Sequence, residues 1–416
     1  MKVYFKTFGC RTNIYDSEIM KNSINFDEIC NDESLADTIV VNSCTVTNGA
    51  DSDVRTYISR MKRAGKRVLL TGCGAVFKGK ELLDDGKVDG VFGMSRKLEI
   101  SDFLKNSTKF YEFGDSSTTE KGSVTNFSNH SKAFLKIQEG CNFKCSYCII
   151  PHVRGIARSE SEEKLLNEAK NLVENGFCEI VLTGTNIGSY GSDSGTNLGE
   201  LLKKLSLIKG IKRIRLGSLE PSQIDDSFRE ILKESWLERH LHIALQHTSQ
   251  KMLSLMRRRN TAIKDIELFC ELSDMGFALG TDFIVGHPGE SDEIWSEALS
   301  NFKKFPLTHI HAFIYSKRDG TRSAELLKEF GEINGKISKQ RLKEIQNIVN
   351  LNNLEFRKKL YNEPLNVLFE QKNGEFWSGF DQFYNRVYLK SDQDLRNKFI
   401  EVRDYEIKDS GNFAKA

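Results

Sequence analysis

The sequence is poor in proline and has no excess of either charge. Its 416 residues include 5 prolines, and 60 lysines and arginines stand against 58 aspartates and glutamates, a formal net charge of +2. So little proline, beside 31 glycines, excludes collagen-like and proline-rich chains. The charge balance excludes a wholly polybasic protein but leaves room for local basic patches. No apolar run reaches the roughly 18 residues that a membrane span requires, so no membrane partner is expected. The opening residues, MKVYFKTFGC, alternate like a strand and lack the apolar core and small-residue cleavage site of a secretory leader. A cytoplasmic location is therefore expected. An even set of cysteines is also missing: nine is odd, and in a reducing compartment a disulfide framework is not expected. What is present is ordinary: 39% hydrophobic residues, enough for a real core, over a length that suggests two to four domains at roughly 100–200 residues each.

Residues 1–113 alternate strand and helix patterns. Apolar runs at 3–8, 38–42 and 67–71 each end at a cysteine, in FGC, NSC and TGC. Asp16 is placed to cap a helix over 16–24, and 50–64 reads as a basic amphipathic helix. Ligands of open α/β sheets bind beyond the carboxyl ends of the strands, so Cys10, Cys44 and Cys73 would converge on one site. Residues 114–132, rich in Ser, Thr and Asn, read as a linker. Between 133 and 360, six strand patterns (133–138, 179–183, 213–217, 241–246, 278–285 and 309–315) alternate with helical ones, and a long polar helix closes the region at 336–360. That order implies a parallel sheet curved into a partial barrel with active residues at its strand ends. Residues 361–416 break into short alternating runs, a small all-β module. The expected fold class is α/β.

Cys141, Cys145 and Cys148 form a C-x3-C-x2-C loop directly after the first barrel strand. Thiolates this close can wrap one iron–sulfur cluster and leave one iron open to an outside ligand. A zinc knuckle completed by a distant ligand is the alternative, although the paired C-x2-C of such sites is missing. Cys10, Cys44 and Cys73 are widely spaced, and any one of them alone reads as plain core. Three placements at strand ends favour a second cluster. Cys30, Cys178 and Cys270 sit without partners and read as structural.

The C-x3-C-x2-C loop, with Tyr147 before its last cysteine and a six-unit βα pattern around it, resembles the radical S-adenosylmethionine (SAM) superfamily. EGCNFKCSYCIIPHVRG, LTGTNIGSYG (182–191), RLGSLEP (215–221), LQHTSQKMLSLMRRRNT (245–261), TDFIVGHPGE (281–290) and YSKRDGTRSA (315–324) follow in order. Together with two three-cysteine sets and a closing β module, they resemble the methylthiotransferases over essentially the whole chain. The resemblance implies an N-terminal methylthiotransferase domain, a partial (βα)6 radical SAM barrel and a TRAM-like module. It implies two [4Fe–4S] clusters, one on Cys141, Cys145 and Cys148 that cleaves SAM to a 5′-deoxyadenosyl radical, and an auxiliary one on Cys10, Cys44 and Cys73 that holds the transferred sulfur. A second SAM would donate the methyl group. FGCRTN (8–13) and NSCTVTNGAD (42–51) resemble the branch acting on N6-threonylcarbamoyladenosine at position 37 of tRNA. The isopentenyladenosine branch usually reads GCQMN and CSVRE there, and the ribosomal-protein branch has Lys-Asn after the first cysteine. Arg11, Thr12 and His287 depart from the commoner residues of the first branch. The implied partners are a tRNA anticodon loop and an electron donor such as flavodoxin or ferredoxin. A non-catalytic RNA-binding protein with structural metal sites is the competing class.

The resemblance also suggests SAM contacts. Thr183, Gly184 and Asn186 follow the second strand, where the superfamily meets the SAM amino group; a tight glycine turn is the alternative. Ser218 and Glu220 would face the carboxylate or ribose, or else cap a helix before Pro221. Gln246 ends the fourth strand. Ile284 and Gly286 end the fifth and would line the adenine, or belong to the core. Two basic groups, Arg257 to Arg259 and Arg55, Arg60, Lys62, Arg63, Lys66 and Arg67, would grip phosphates or form solvated faces. Phe376, Trp377, Phe380, Phe383 and Tyr384 would stack on unpaired bases or fill the β module.

Overall fold

The computed structural model describes residues 1–25, 28–114, 122–127 and 130–415. Its first part runs β1 (Val3–Thr7), α1 (Arg11–Asn22), β2 (Thr38–Ser43), α2 (Asn48–Arg63), β3 (Arg67–Gly72), α3 (Cys73–Asp84), β4 (Gly90–Phe92), α4 (Ile100–Lys105) and β5 (Phe110–Glu112). The five strands are parallel and lie in chain order. Ile39, Val41, Val68 and Leu70 pack on one face, and Val40 and Leu69 on the other. Burial on both faces is why β2 and β3 read as nearly continuous apolar runs.

The second part follows: β6 (Ala133–Glu139), α5 (Ile150–Arg154), β7 (Arg158–Ser159), α6 (Glu162–Glu174), β8 (Glu179–Gly184), α7 (Leu198–Ser206), β9 (Arg213–Arg215), α8 (Asp226–Glu230), β10 (His240–His242), α9 (Gln250–Leu255), α10 (Ala262–Asp274), β11 (Ala278–Val285), α11 (Asp292–Phe302) and β12 (Leu307–Ile314). Strands β6, β8 and β9 pair in parallel, as do β10, β11 and β12. Parallel bridges Ile214–Leu237 and Leu219–Ile243 join the two groups into one curved partial barrel. β7 pairs antiparallel with β6. Side-chain caps on the first turn, such as Ser161 on Lys164 N and Ser291 on Ile294 N, start the covering helices. Helices α12 (Arg322–Phe330) and α13 (Gly335–Lys359) follow, and α13 lies on β11 and β12 with Ile345 and Val349 buried.

The chain ends in β13 (Leu365–Asn373), β14 (Phe376–Phe380), β15 (Arg386–Lys390), β16 (Phe399–Val402), β17 (Tyr405–Lys408) and β18 (Gly411–Ala414). Their order in the sheet is β16-β13-β14-β15-β18-β17, around a core of Val367, Phe369, Trp377 and Val387. No helix among the described residues is long and apolar enough to cross a membrane.

Several expectations need correction. Asp16 caps nothing: α1 begins at Arg11, and Asp16 lies buried inside it. Of the expected linker 114–132, residues 115–121, 128 and 129 lie outside the described residues. Val124 and Phe127 are buried within the barrel core, with the Phe127 ring against Phe134 and Phe177. In the second basic group Arg55, Arg60 and Arg63 are exposed, while Lys62, Lys66 and Arg67 are half-buried. Lys62 pairs with Asp89 at 2.7 Å, Arg60 with Glu33 at 2.8 Å, and Arg67 donates to the Phe103 and Leu104 carbonyls. Of the rings expected either to stack on bases or to fill the β module, Trp377 and Phe383 are buried, as the second alternative has it. Phe380 stacks on Tyr384 at 4.6 Å, and Tyr384 on His240 of the barrel at 5.1 Å.

The β14–β15 turn seats on the barrel through buried charge. Arg215 pairs with Glu179 at 2.7 Å and Glu238 at 2.8 Å and donates to the Asp381 carbonyl at 2.6 Å. Arg213 donates to the Asn366 carbonyl at 2.7 Å. Burial alone would raise the Glu179 carboxyl, but Arg215 and Arg213 outweigh it and hold it down at about 2 against an ordinary 4.5. A depressed carboxylate stabilises the fold above its unfolded value, and that stability is lost as pH falls through the folded one. The wild-type urea midpoint should therefore drop between about pH 4.5 and 2, and Glu179→Gln should flatten that drop. Equal slopes for the two proteins would contradict this reading.

Candidate active site

Cys10 follows β1, Cys44 follows β2 and Cys73 opens α3, so the three strands deliver their thiols at one edge of the first sheet. Small residues before them are a packing requirement. Gly9 has φ +93°, and a Cβ there would lie 2.6 Å from the Cys44 Cβ. Gly72, at φ +88°, approaches the Ser43 carbonyl so closely that a Cβ would sit 2.4 Å away. The second set, Cys141, Cys145 and Cys148, lies on the loop after β6, half-buried.

All six thiols line one cavity of about 430 Å³ between the first sheet and the open mouth of the barrel. Tyr147, Gly184, Asn186, Ser218, Glu220, Gln246 and Ile284 line it as well. Asn186 donates to the Cys141 sulfur at 3.8 Å. Two of the expected residues lie elsewhere. Thr183 is buried with its hydroxyl 3.5 Å from that of Thr12. Gly286 packs under α13, where a Cβ would meet the Ser338 hydroxyl at 2.4 Å, and its N–H donates to Glu290.

The donor chemistry fits iron–sulfur ligation. Soft thiolates are the ligands such clusters select. Burial pushes the Cys44 thiol up to about 11 and the Cys148 thiol to about 12. Thiols held this high are poor free nucleophiles, and ionisation on binding a metal is what makes them useful.

Three arginines organise the thiols, and two of them, Arg154 and Arg318, had no expected role. Arg154 of α5 is buried and donates from Nε to the Cys73 sulfur at 3.2 Å. Its Nη1 meets Asp16 at 2.8 Å and Glu139 at 2.6 Å, and its Nη2 meets the Asn13 side chain. Asp16 also binds Lys97 at 2.6 Å and Lys136 at 2.7 Å. Burial would raise the Asp16 carboxyl, but Lys136, Lys97 and Arg154 together hold it well below the usual range. Arg258 turns inward to Glu220 at 2.6 Å, with the Cys145 sulfur 3.8 Å away, so it does not belong to an outward phosphate-binding patch. Arg318, after β12, donates to the Val46 carbonyl and pairs with Asp51, beside Cys44. Its Nη2 has no hydrogen-bond partner among the described residues. Arg154 and Arg318 stand inside quoted motifs, so their sequence position was a usable signal.

Residues 2–93 match the model of Uncharacterized protein family UPF0004, and residues 135–300 match that of the Radical SAM superfamily. A Helicobacter pylori protein, named only provisionally as a methylthiotransferase, is 49% identical over 99% of both chains. The threonylcarbamoyladenosine tRNA methylthiotransferase of Aquifex aeolicus is 35% identical over 90% of this chain and 94% of its own. The chain belongs to the radical SAM methylthiotransferases. As such it is an enzyme that uses SAM and a [4Fe–4S] cluster. Among solved structures, the radical SAM methyltransferase TsrM of Kitasatospora setae shares the fold, with a TM-score of 0.55 and 13% identity over 76% of this chain and 75% of that one.

For this methylthiotransferase, Arg154→Leu should leave Asp16 and Glu139 short of a buried counter-charge. Breaking a buried pair costs about 3–5 kcal/mol. Amide hydrogen exchange should accelerate in α1 and β6 in particular. Unchanged exchange in both elements would contradict the role given to Arg154.

Proposed function

We propose that this enzyme methylthiolates C2 of N6-threonylcarbamoyladenosine at position 37 of tRNA, with the barrel [4Fe–4S] cluster on Cys141, Cys145 and Cys148 and an auxiliary one on Cys10, Cys44 and Cys73. The observation that carries the reading is the meeting of two three-thiol sets on the walls of one cavity. When bound, the cofactors supply radical hydrogen abstraction, a sulfur atom and a methyl group. The chain supplies placement. Asn186, Ser218, Glu220, Gln246 and Ile284 line the barrel wall where SAM would lie, and Arg258 orients Glu220 through a 2.6 Å contact. Arg154 and Arg318 fix the start of α3 at Cys73 and the loop after Cys44, so the sulfur-bearing side faces the barrel across a short gap. The apolar surfaces of Ile149, Ile150 and Phe313 limit water around reacting atoms. An adenine must leave its stack to reach such a recess, which suits an anticodon-loop nucleotide. The reading carries a cytoplasmic location and a small electron donor such as flavodoxin or ferredoxin.

The substrate branch rests on FGCRTN and NSCTVTNGAD and on the Aquifex aeolicus relative. A second reading has support of its own: the tRNA-2-methylthio-N(6)-dimethylallyladenosine synthase of Fervidobacterium nodosum is 30% identical over 96% of this chain and 92% of its own. Nucleoside mass spectrometry of tRNA from cells lacking the protein separates them. Loss of 2-methylthio-threonylcarbamoyladenosine, with its precursor accumulating, is the expected result. Loss of the 2-methylthio group from the dimethylallyl nucleoside alone would move the enzyme to the second branch.

A further inference from the structure

Three adjacent strands of the barrel carry a second set of ligand-type side chains, separate from the thiols. β10 reads His240-Leu241-His242, β11 carries Gly280-Thr281-Asp282, and β12 carries His309-Ile310-His311. The register places Gly280 beside His242 and His309, and Asp282 beside His311. With side chains alternating along each strand, these residues share one face of the sheet. Gly280 makes room for them: a Cβ there would lie 2.7 Å from His242 Nδ1 and 2.9 Å from His240 Nε2. Four of the chain's eight histidines thus gather on a single patch.

Within the patch, His242 Nε2 lies 3.1 Å from Asp282 Oδ1, and His311 Nδ1 lies 3.5 Å from the same oxygen. One ligand atom from each residue falls within 4.8 Å of the other two. Tetrahedral coordination with bonds of about 2.0–2.1 Å separates ligand atoms by about 3.3 Å, so the two short distances bracket that value. His242 is buried, Asp282 is half-buried and lines the cavity, and His311 is exposed, which gives an entry path and an open side. Two imidazoles and a carboxylate suit a first-row divalent metal, and three protein ligands leave a position free, as in reactive rather than structural sites.

We propose that His242, Asp282 and His311 bind one divalent first-row transition-metal ion, with its open coordination position facing the cavity, where an oxygen atom of the substrate takes it. This site uses none of the six thiols, although Asp282 lines the same cavity, and it does not depend on which nucleoside is modified.

The test uses the full chain with its iron–sulfur clusters reconstituted anaerobically, stripped of loose metal and dialysed against Zn²⁺. Zinc and iron are counted together, and X-ray absorption at the zinc edge reports the ligands. One zinc per chain is expected, with nitrogen and oxygen neighbours only and no loss of iron. Asp282→Asn and His311→Ala should each weaken zinc retention at least tenfold. His311 is exposed, so its variant keeps the test open if Asp282→Asn fails to fold. Zinc retention equal in wild type and His311→Ala, sulfur neighbours at about 2.3 Å, or no zinc above background would overturn the proposal. None of these outcomes bears on the nucleoside experiment, so the two readings fail separately.

Discussion

One buried carboxylate carries the geometry of the active site. Asp16 belongs to α1 of the first sheet, yet two of its three cationic partners, Lys136 and Arg154, belong to the barrel. A buried charge left unpaired is costly, so these groups stay together or the junction opens as a whole. Arg154 then extends the junction to chemistry by reaching the Cys73 sulfur with its Nε. The two thiol sets face each other because the charge that joins the domains sits directly behind them. Arg318 and Asp51 repeat the device at the opposite rim, beside Cys44.

Polar groups also decide what the barrel holds. Its amino-terminal end is plugged by Glu179, Arg213, Arg215 and Glu238 under the β14–β15 turn, a paired set with little room for a ligand. Towards the carboxyl ends of the strands, pairing gives way to thiols, to Glu220 held by Arg258, and to the patch around Asp282. The fold therefore separates a sealed, charge-neutralised floor from a reactive mouth, in line with the general behaviour of parallel barrels.

Much of this was legible in the sequence. The C-x3-C-x2-C loop was legible because local spacing encodes it, and Cys10, Cys44 and Cys73 because each closes a strand pattern. The strands of the barrel were readable because apolar runs alternate with helical patterns, although β9 and β10 are only three residues long, shorter than the expected 213–217 and 241–246. What stayed hidden depends on partners far away in the chain. Asp16 read as a cap because the true start of α1 has no capping side chain; Cys10 holds that position without one. Lys62, Arg67 and Arg258 read as surface charge, since nothing local says that Asp89, the carbonyls near residue 104 and Glu220 await them. Tyr384 and Phe380 read either as base-stacking rings or as filling of the β module; they stack on each other and on the barrel, a contact nothing local announces. β16 to β18 are four residues each, too short to set a clear period. Gly280 gave no sign that its missing side chain makes room for imidazoles.

The central claim is that both thiol sets are cluster ligands opening on one cavity. It is tested most directly by counting iron and acid-labile sulfide in the anaerobically purified, reconstituted protein and in a variant with Cys10, Cys44 and Cys73 all replaced by alanine. The account predicts about eight irons per chain in the wild type and about four in the variant, which keeps the barrel cluster. About four irons in both proteins would contradict it, because the first thiol set would then be holding no cluster.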